Sequence, residues 1–132
     1  MSNNGWSLVY ESFDPERQGL REALCTLGNG YFCTRGAMPW VDADDTHYPG
    51  TYLAGGYNRL VTEVAGREIV NEDLVNLPNW LPLTFRCIDG EPGDWFNPMA
   101  VEIKDFRDEL EMHQGQLHTT IQFRDKQGRE TR

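Results

Sequence analysis

Short runs of alternating apolar and polar residues, separated at regular intervals by turn signals, constrain this chain more than any other feature. Leu81, Leu83, Phe85 and Cys87 alternate with Pro82, Thr84 and Arg86; Val101 and Ile103 alternate with Glu102 and Lys104; Leu117 to Phe123 alternates clearly. Side chains repeating every two residues suit a pleated strand with one buried face, not a helix. Asn29-Gly30 lies between two apolar segments and predicts a type I′ hairpin turn, because both central positions of that turn need positive φ. Ala65-Gly66-Arg67, Gln114-Gly115 and Asp125 to Gly128 mark further turns. Phe106 to His113 fits a helical face or a strand face, and the turn after it favours strand. Trp6 to Phe13 reads as a first strand, stopped by Asp14-Pro15. Many short strands and no long helix predict an all-β fold, an antiparallel β-sandwich.

The stretch from His47 to Leu83 holds the densest mixture of glycine, proline and aromatic residues. Pro49-Gly50 signals a turn. Tyr52 to Asn58 reads as a strand, and the adjacent Gly55 and Gly56 inside it mark a bulge or a place where another backbone or a ligand comes close. A strand through Val61, Glu63 and Val64 follows, with a short return through Glu68, Ile69 and Val70. Pro78 and Pro82 bracket Asn79, Trp80 and Leu81 and exclude a helix there.

At 132 residues the chain has room for one core, with 39% apolar and 25% charged residues. Its formal net charge of −9 argues against nucleic acid and anionic membrane surfaces as partners, since phosphate groups are bound by clustered Lys and Arg. Cys25, Cys33 and Cys87 are an odd number without metal-ligand spacing, so reduced thiols and a cytoplasmic location are expected. The Asp125–Gly128 hairpin is followed by only four residues. That short return predicts a first part of a longer chain.

Candidate chemistry is sparse. Carboxylates such as Asp42, Asp44, Asp94, Asp105, Asp108 and Glu111 are numerous, but a glycosidase needs two facing each other across the scissile bond, which spacing in a β-rich chain does not specify. Most are expected to be solvated. His113 and His118 straddle a turn without a third ligand, so no metal site is expected. The loop aromatics are the better signal. Trp40, Tyr48, Tyr52, Trp80, Trp95 and Phe96 fall at or near loops, with Asp42, Asn79 and Asn97 close in sequence. Rings with a polar edge can stack on a sugar or plug into a neighbouring domain. Trp40, Tyr52, Asn79, Trp80 and Trp95 are the candidates for such a carbohydrate or domain interface.

Four segments in order, REALCTLGNGYFCTRGA, HYPGTYLAGGYNRL, NEDLVNLPNWLPL and FRDELEMHQGQLHTTIQFRDKQGRETR, resemble the start of the glycoside hydrolase family 65 enzymes, the maltose, trehalose and kojibiose phosphorylases and their hydrolase relatives. The resemblance implies that residues 1–132 form part of a larger galactose-mutarotase-like super-sandwich, with the catalytic (α/α) barrel outside this chain. It further implies an inverting enzyme acting on α-linked glucose disaccharides, with a glutamic acid of the barrel as general acid. Inorganic phosphate replaces the attacking water in the phosphorylases, and no other cofactor is expected. On this reading the segment is non-catalytic and its partners are its own barrel and, in a homodimer, a second copy. No catalytic residue of the family carries over to this sequence. The alternative is a free-standing carbohydrate-binding module.

Overall fold

The computed structural model describes residues 5–45, 50–88 and 92–132. Two four-stranded antiparallel sheets account for most of the chain. The first runs β1 (Ser7–Tyr10), β6 (Glu102–Glu111), β7 (Gln116–Arg124) and β8 (Glu130–Thr131). The second runs β2 (Leu27–Gly28), β3 (Phe32–Thr34), β4 (Thr51–Val64) and β5 (Arg67–Leu77). This is the expected all-β sandwich, and Phe106 to Glu111 is strand, as the following turn suggested.

The core lies on the inner face of the first sheet. Register puts Phe106 opposite Ile121 and Ile103 opposite Phe123, so their side chains share that face. Met38 and Phe96 from two loops close over Phe106, Ile121 and Phe123. Phe96 is the hub of this packing. Its ring stacks on Phe85 at 4.8 Å, meets Phe123 at 4.7 Å and takes the edge of Trp40 at 5.1 Å. Grouped by sequence with exposed loop aromatics, Phe96 is instead a core residue.

Three local expectations are corrected. The helix α1 (Gln18–Leu24), preceded by a 3₁₀ turn at Pro15–Arg17, stands where only a strand stop was expected. Asp14 caps that turn by accepting from the Glu16 N–H at 3.2 Å, and Pro15 fits the first helical position because it lacks a donor the helix would leave unused. Residues 81–88 form no strand. Pro82 removes a backbone donor, and the segment is held instead by scattered bonds, from the Leu83 N–H to the Pro39 carbonyl and from the Phe96 N–H to the Phe85 carbonyl, both 2.8 Å. At the first hairpin only Gly30 has positive φ (86°), so the turn centres on Gly30-Tyr31, with glycine in the first central position as type II′ requires. Asn29 Oδ1 accepts from the Tyr31 and Phe32 N–H groups and sets that geometry.

The type I′ turn falls at the β4–β5 connection. Ala65 (φ 52°) and Gly66 (φ 75°) link Val64 to Arg67, which pair directly. Alanine in the left-handed region carries a steric cost of about 1–2 kcal/mol. Ala65→Asn, at the position where this turn favours Asn, is expected to raise stability by about 0.5–1 kcal/mol. A urea titration checks it by a higher midpoint at an unchanged slope.

β5 is longer than the short return expected from sequence. Asn71, Glu72 and Asp73 are poor strand formers, yet the ladder runs through them to Leu77. They are tolerated because this part of the hairpin is exposed on both faces, so polar side chains there lose no hydration. An Arg59–Glu72 ion pair and an Asn71 Nδ2 bond to Thr62 Oγ1 hold the register. Of the two readings of the adjacent glycines, the bulge is present. Between Tyr52↔Asn76 and Tyr57↔Leu74, four residues of β4 lie opposite Val75 alone, with Gly55 at φ 74°.

Candidate functional site

Two clefts bring loop aromatic residues together. The first, about 590 Å³, lies between the sheets, lined by Phe32 and Thr34 of β3 and by Leu117 of β7, together with Trp40, Trp80 and Leu81. The second, about 800 Å³, is formed by loops and includes Trp40, Asp42, Asp44, Trp95 and Asn97. Trp40 belongs to both.

Local structure explains each placement. Gly36 brings the Trp40 loop against α1, where a Cβ at Gly36 would lie 2.6 Å from the Cys25 Cβ and 2.7 Å from its carbonyl oxygen. The Gly36 N–H donates to the Glu22 carbonyl at 3.0 Å and fixes that approach. Trp40 then turns its indole edge onto Phe96, and its indole N–H is out of solvent with no acceptor among the described residues. Asn79 accepts from the Leu81 N–H at 3.1 Å, bending the chain after β5 so that Trp80 reaches back to β3. There the Trp80 indole N–H donates to Thr34 Oγ1 at 3.2 Å while the ring stays 63% exposed. Trp95 is also exposed, with the Arg86 guanidinium 4.9 Å from its ring centroid, a cation–π contact.

Of the five candidates, Trp40 and Trp80 come together in the first cleft and Trp40 and Trp95 in the second. Asn79 shapes the turn and lines neither. Tyr52, on β4 between Cys33 and Asn76, lines neither and folds its ring over Gly50. Tyr48 and His47 lie outside the described residues. His113 sits in the β6–β7 turn with its ring 4.6 Å from Trp6, while His118 pairs across from Glu109, so the two histidines are not brought together. Among the described residues no group of three or more His, Cys, Asp or Glu side chains is arranged to hold a metal ion.

Asp108, grouped by sequence with carboxylates that are mostly expected to be solvated, is buried instead. It sits on the inner face of β6 between Phe106 and Leu110, only 3% exposed, under α1. Burial pushes its carboxyl pKa up; the hydrogen bond from Thr119 Oγ1 (2.7 Å) and the nearby Arg21 guanidinium oppose that shift. Arg21 also donates to the Ser12 carbonyl at 2.6 Å and lies 4.5 Å from the centroid of the Tyr10 ring. In the same cluster Cys25 is 1% exposed, and its thiol is pushed up to about 11 by burial and then by the Asp108 carboxylate. A thiol in that state stays protonated at neutral pH and is no nucleophile. Asp108 lines neither cleft, so its role is structural. An acidic residue between two apolar ones at two-residue spacing, Phe106-x-Asp108-x-Leu110, was the signal that could have found it.

A family model for the N-terminal domain of glycosyl hydrolase family 65 matches residues 8–132. The chain belongs to glycosyl hydrolase family 65. Among family relatives, a glycosyl hydrolase of Mycobacterium tuberculosis (strain CDC 1551 / Oshkosh) is 48% identical over 126 residues, covering 96% of this chain and 9% of the relative. Trehalose 6-phosphate phosphorylase of Lactococcus lactis is 38% identical over 120 residues, 89% of this chain and 15% of that protein. Kojibiose phosphorylase of Caldanaerobacter subterraneus is 30% identical over 132 residues, all of this chain and 15% of that protein. The chain thus spans 9–15% of the length of these family 65 relatives. No helix among the described residues is long and apolar enough to cross a membrane.

Proposed function

We propose that this chain is the N-terminal, non-catalytic β-sandwich portion of an inverting α-glucoside phosphorylase or hydrolase, and that it buttresses the catalytic (α/α) barrel of the same polypeptide. The observation that carries this reading is the match of nearly the whole chain to an N-terminal domain, at a small fraction of the relatives' length. The two clefts support it: Trp80, Trp95, Leu83 and Met99 are exposed around them, and apolar surface of this kind marks an interaction face. A buried donor such as the Trp40 indole N–H ordinarily has an acceptor, which a docked domain would supply. Substrates of the parent enzyme are α-linked glucose disaccharides, with inorganic phosphate as co-substrate if it is a phosphorylase, in line with the names of its relatives. The free thiols Cys25, Cys33 and Cys87 fit a cytoplasmic enzyme.

In the full-length enzyme, Trp80→Ala is expected to lower the melting temperature or the assembled fraction more than it alters the chemical step. Unchanged melting and assembly with a large fall in turnover would count against the buttress.

A second reading has its own observation. The Trp40–Trp95 cleft combines two indoles with Asp42, Asp44 and Asn97, the set needed to stack a neutral sugar ring and accept or donate hydrogen bonds at its hydroxyls. It predicts a change in tryptophan fluorescence on adding maltose or trehalose, abolished by Trp95→Ala. A flat titration removes it.

A further inference from the structure

A third, smaller cleft, about 240 Å³, also reaches Trp95 and gathers positive charge on a chain that has little of it. The sequence holds 12 lysines and arginines against 21 acidic residues. Three of those cations, Arg86, Lys126 and Arg129, line this cleft, and none of them borders the two larger ones.

Each cation is placed by a neighbour. Gly93 makes room for Arg129, since a Cβ there would lie 2.6 Å from the guanidinium Nη2. Asp125 accepts from the Arg129 backbone N–H at 2.8 Å and from its Nε at 2.6 Å, which fixes that side chain on the rim. Lys126 Nζ donates to Asp94 at 3.1 Å, but both side chains are well over half exposed, so the pair is weak and readily exchanged. Arg86 is held differently. Its guanidinium lies over the Trp95 ring, 4.9 Å from the centroid, and has no carboxylate partner among the described residues. A ring face holds a guanidinium without consuming its N–H donors, so the fork remains available to bind an oxyanion through two bonds.

The rest of the lining says which anion. Phe85, Phe96 and Phe123, packed ring to ring, supply an apolar wall with Val101, and such a wall suits the C–H face of a sugar. Asp94 and Asp125 stand among the cations. A bare anion meets repulsion from them, whereas a ligand that also carries hydroxyl groups donates hydrogen bonds to carboxylates. A dianionic head matches Arg86 together with Lys126, and Lys126 on turning to it releases Asp94 for a hydroxyl. The volume lies below the ~300–1,000 Å³ of most small-molecule pockets, which restricts the ligand to a single ring.

We propose that this cleft binds a monosaccharide phosphate, with Arg86 and Lys126 on the phosphate and Asp94 and Gln127 at the ring hydroxyls.

Isothermal titration calorimetry of glucose 6-phosphate into the full-length enzyme tests this. Saturable binding is expected, with glucose and inorganic phosphate each about tenfold weaker or more, because each meets only part of the lining. Arg86→Gln should weaken glucose 6-phosphate by about tenfold to a hundredfold, the range for a lost hydrogen bond to a charged group. Lys126→Gln should weaken it by about threefold to tenfold. Both side chains are exposed, so melting should be unchanged. Absence of saturable binding overturns the proposal, as does binding indifferent to Arg86→Gln, which would place the ligand elsewhere in the enzyme. Inorganic phosphate bound as tightly as glucose 6-phosphate overturns it too, since the sugar would then contribute nothing. The buttress stands or falls separately, because it is read by the melting and turnover of Trp80→Ala.

Discussion

Phe96→Ala is expected to destabilise the fold by about 3–5 kcal/mol, the range for removing a buried phenylalanine from a packed core. Phe96 is 7% exposed and is the one ring in contact with Trp40, Phe85 and Phe123 together. It lies on a loop, so its deletion does not break a strand. What it removes is the link between the Trp40 loop, residues 81–88 and the inner face of the first sheet. Those loops have few backbone bonds to hold them, so they can relax part-way into the space, and the cost should fall toward the lower end of the range. Chemical denaturation checks the size. Phe96→Leu, which refills most of the volume, should recover a good part of the loss.

The second large effect concerns the buried ionic cluster. Arg21→Met is expected to cost about 1–3 kcal/mol at neutral pH, because it takes a favourable guanidinium charge away from the buried Asp108 carboxylate and deletes the bond to the Ser12 carbonyl. The pH dependence identifies the cause. Asp108 has a raised pKa in the folded state, so the proton it carries stabilises the fold below the ordinary carboxylate pKa, and that stabilisation is lost as pH rises through the folded-state value. Removing Arg21 raises that pKa further and widens the window. The Arg21→Met penalty should therefore shrink on acidification toward pH 4. Asp108→Asn, which keeps an acceptor for Thr119, should flatten the acid limb, and in an Asp108→Asn background Arg21→Met should cost much less. An Arg21→Met penalty equal at pH 7 and pH 4 would show that packing alone is responsible.

Legibility from sequence followed the range of the interaction. The β4–β5 and β7–β8 hairpins and the bulge at Gly55 were readable because glycine at positive φ is a local requirement. The strand over Phe106–Glu111 was readable from the turn behind it. α1 was missed although Asp14-Pro15 is a helix-start signal as much as a strand stop, and seven residues are too few to show a period. The segment from Leu81 to Cys87 alternates like a strand, but alternation does not supply hydrogen-bond partners, and Pro82 had already removed one donor. The candidate site depended on contacts far apart in sequence. That Trp40 joins Trp80 in one cleft and Trp95 in another follows from the close approach at Gly36 and the turn at Asn79, neither of which spacing reveals. Tyr52, chosen as an aromatic residue near a loop, lies on β4 and lines neither cleft.

The central claim is that this sandwich supports chemistry it does not perform. Disaccharide cleavage, with and without inorganic phosphate, measured on the full-length enzyme beside residues 1–132 alone tests it most directly. The account predicts turnover of an α-linked glucose disaccharide by the full-length enzyme and none by residues 1–132 at any concentration. Turnover by residues 1–132 alone, proportional to their concentration and abolished by a substitution within them, would contradict it.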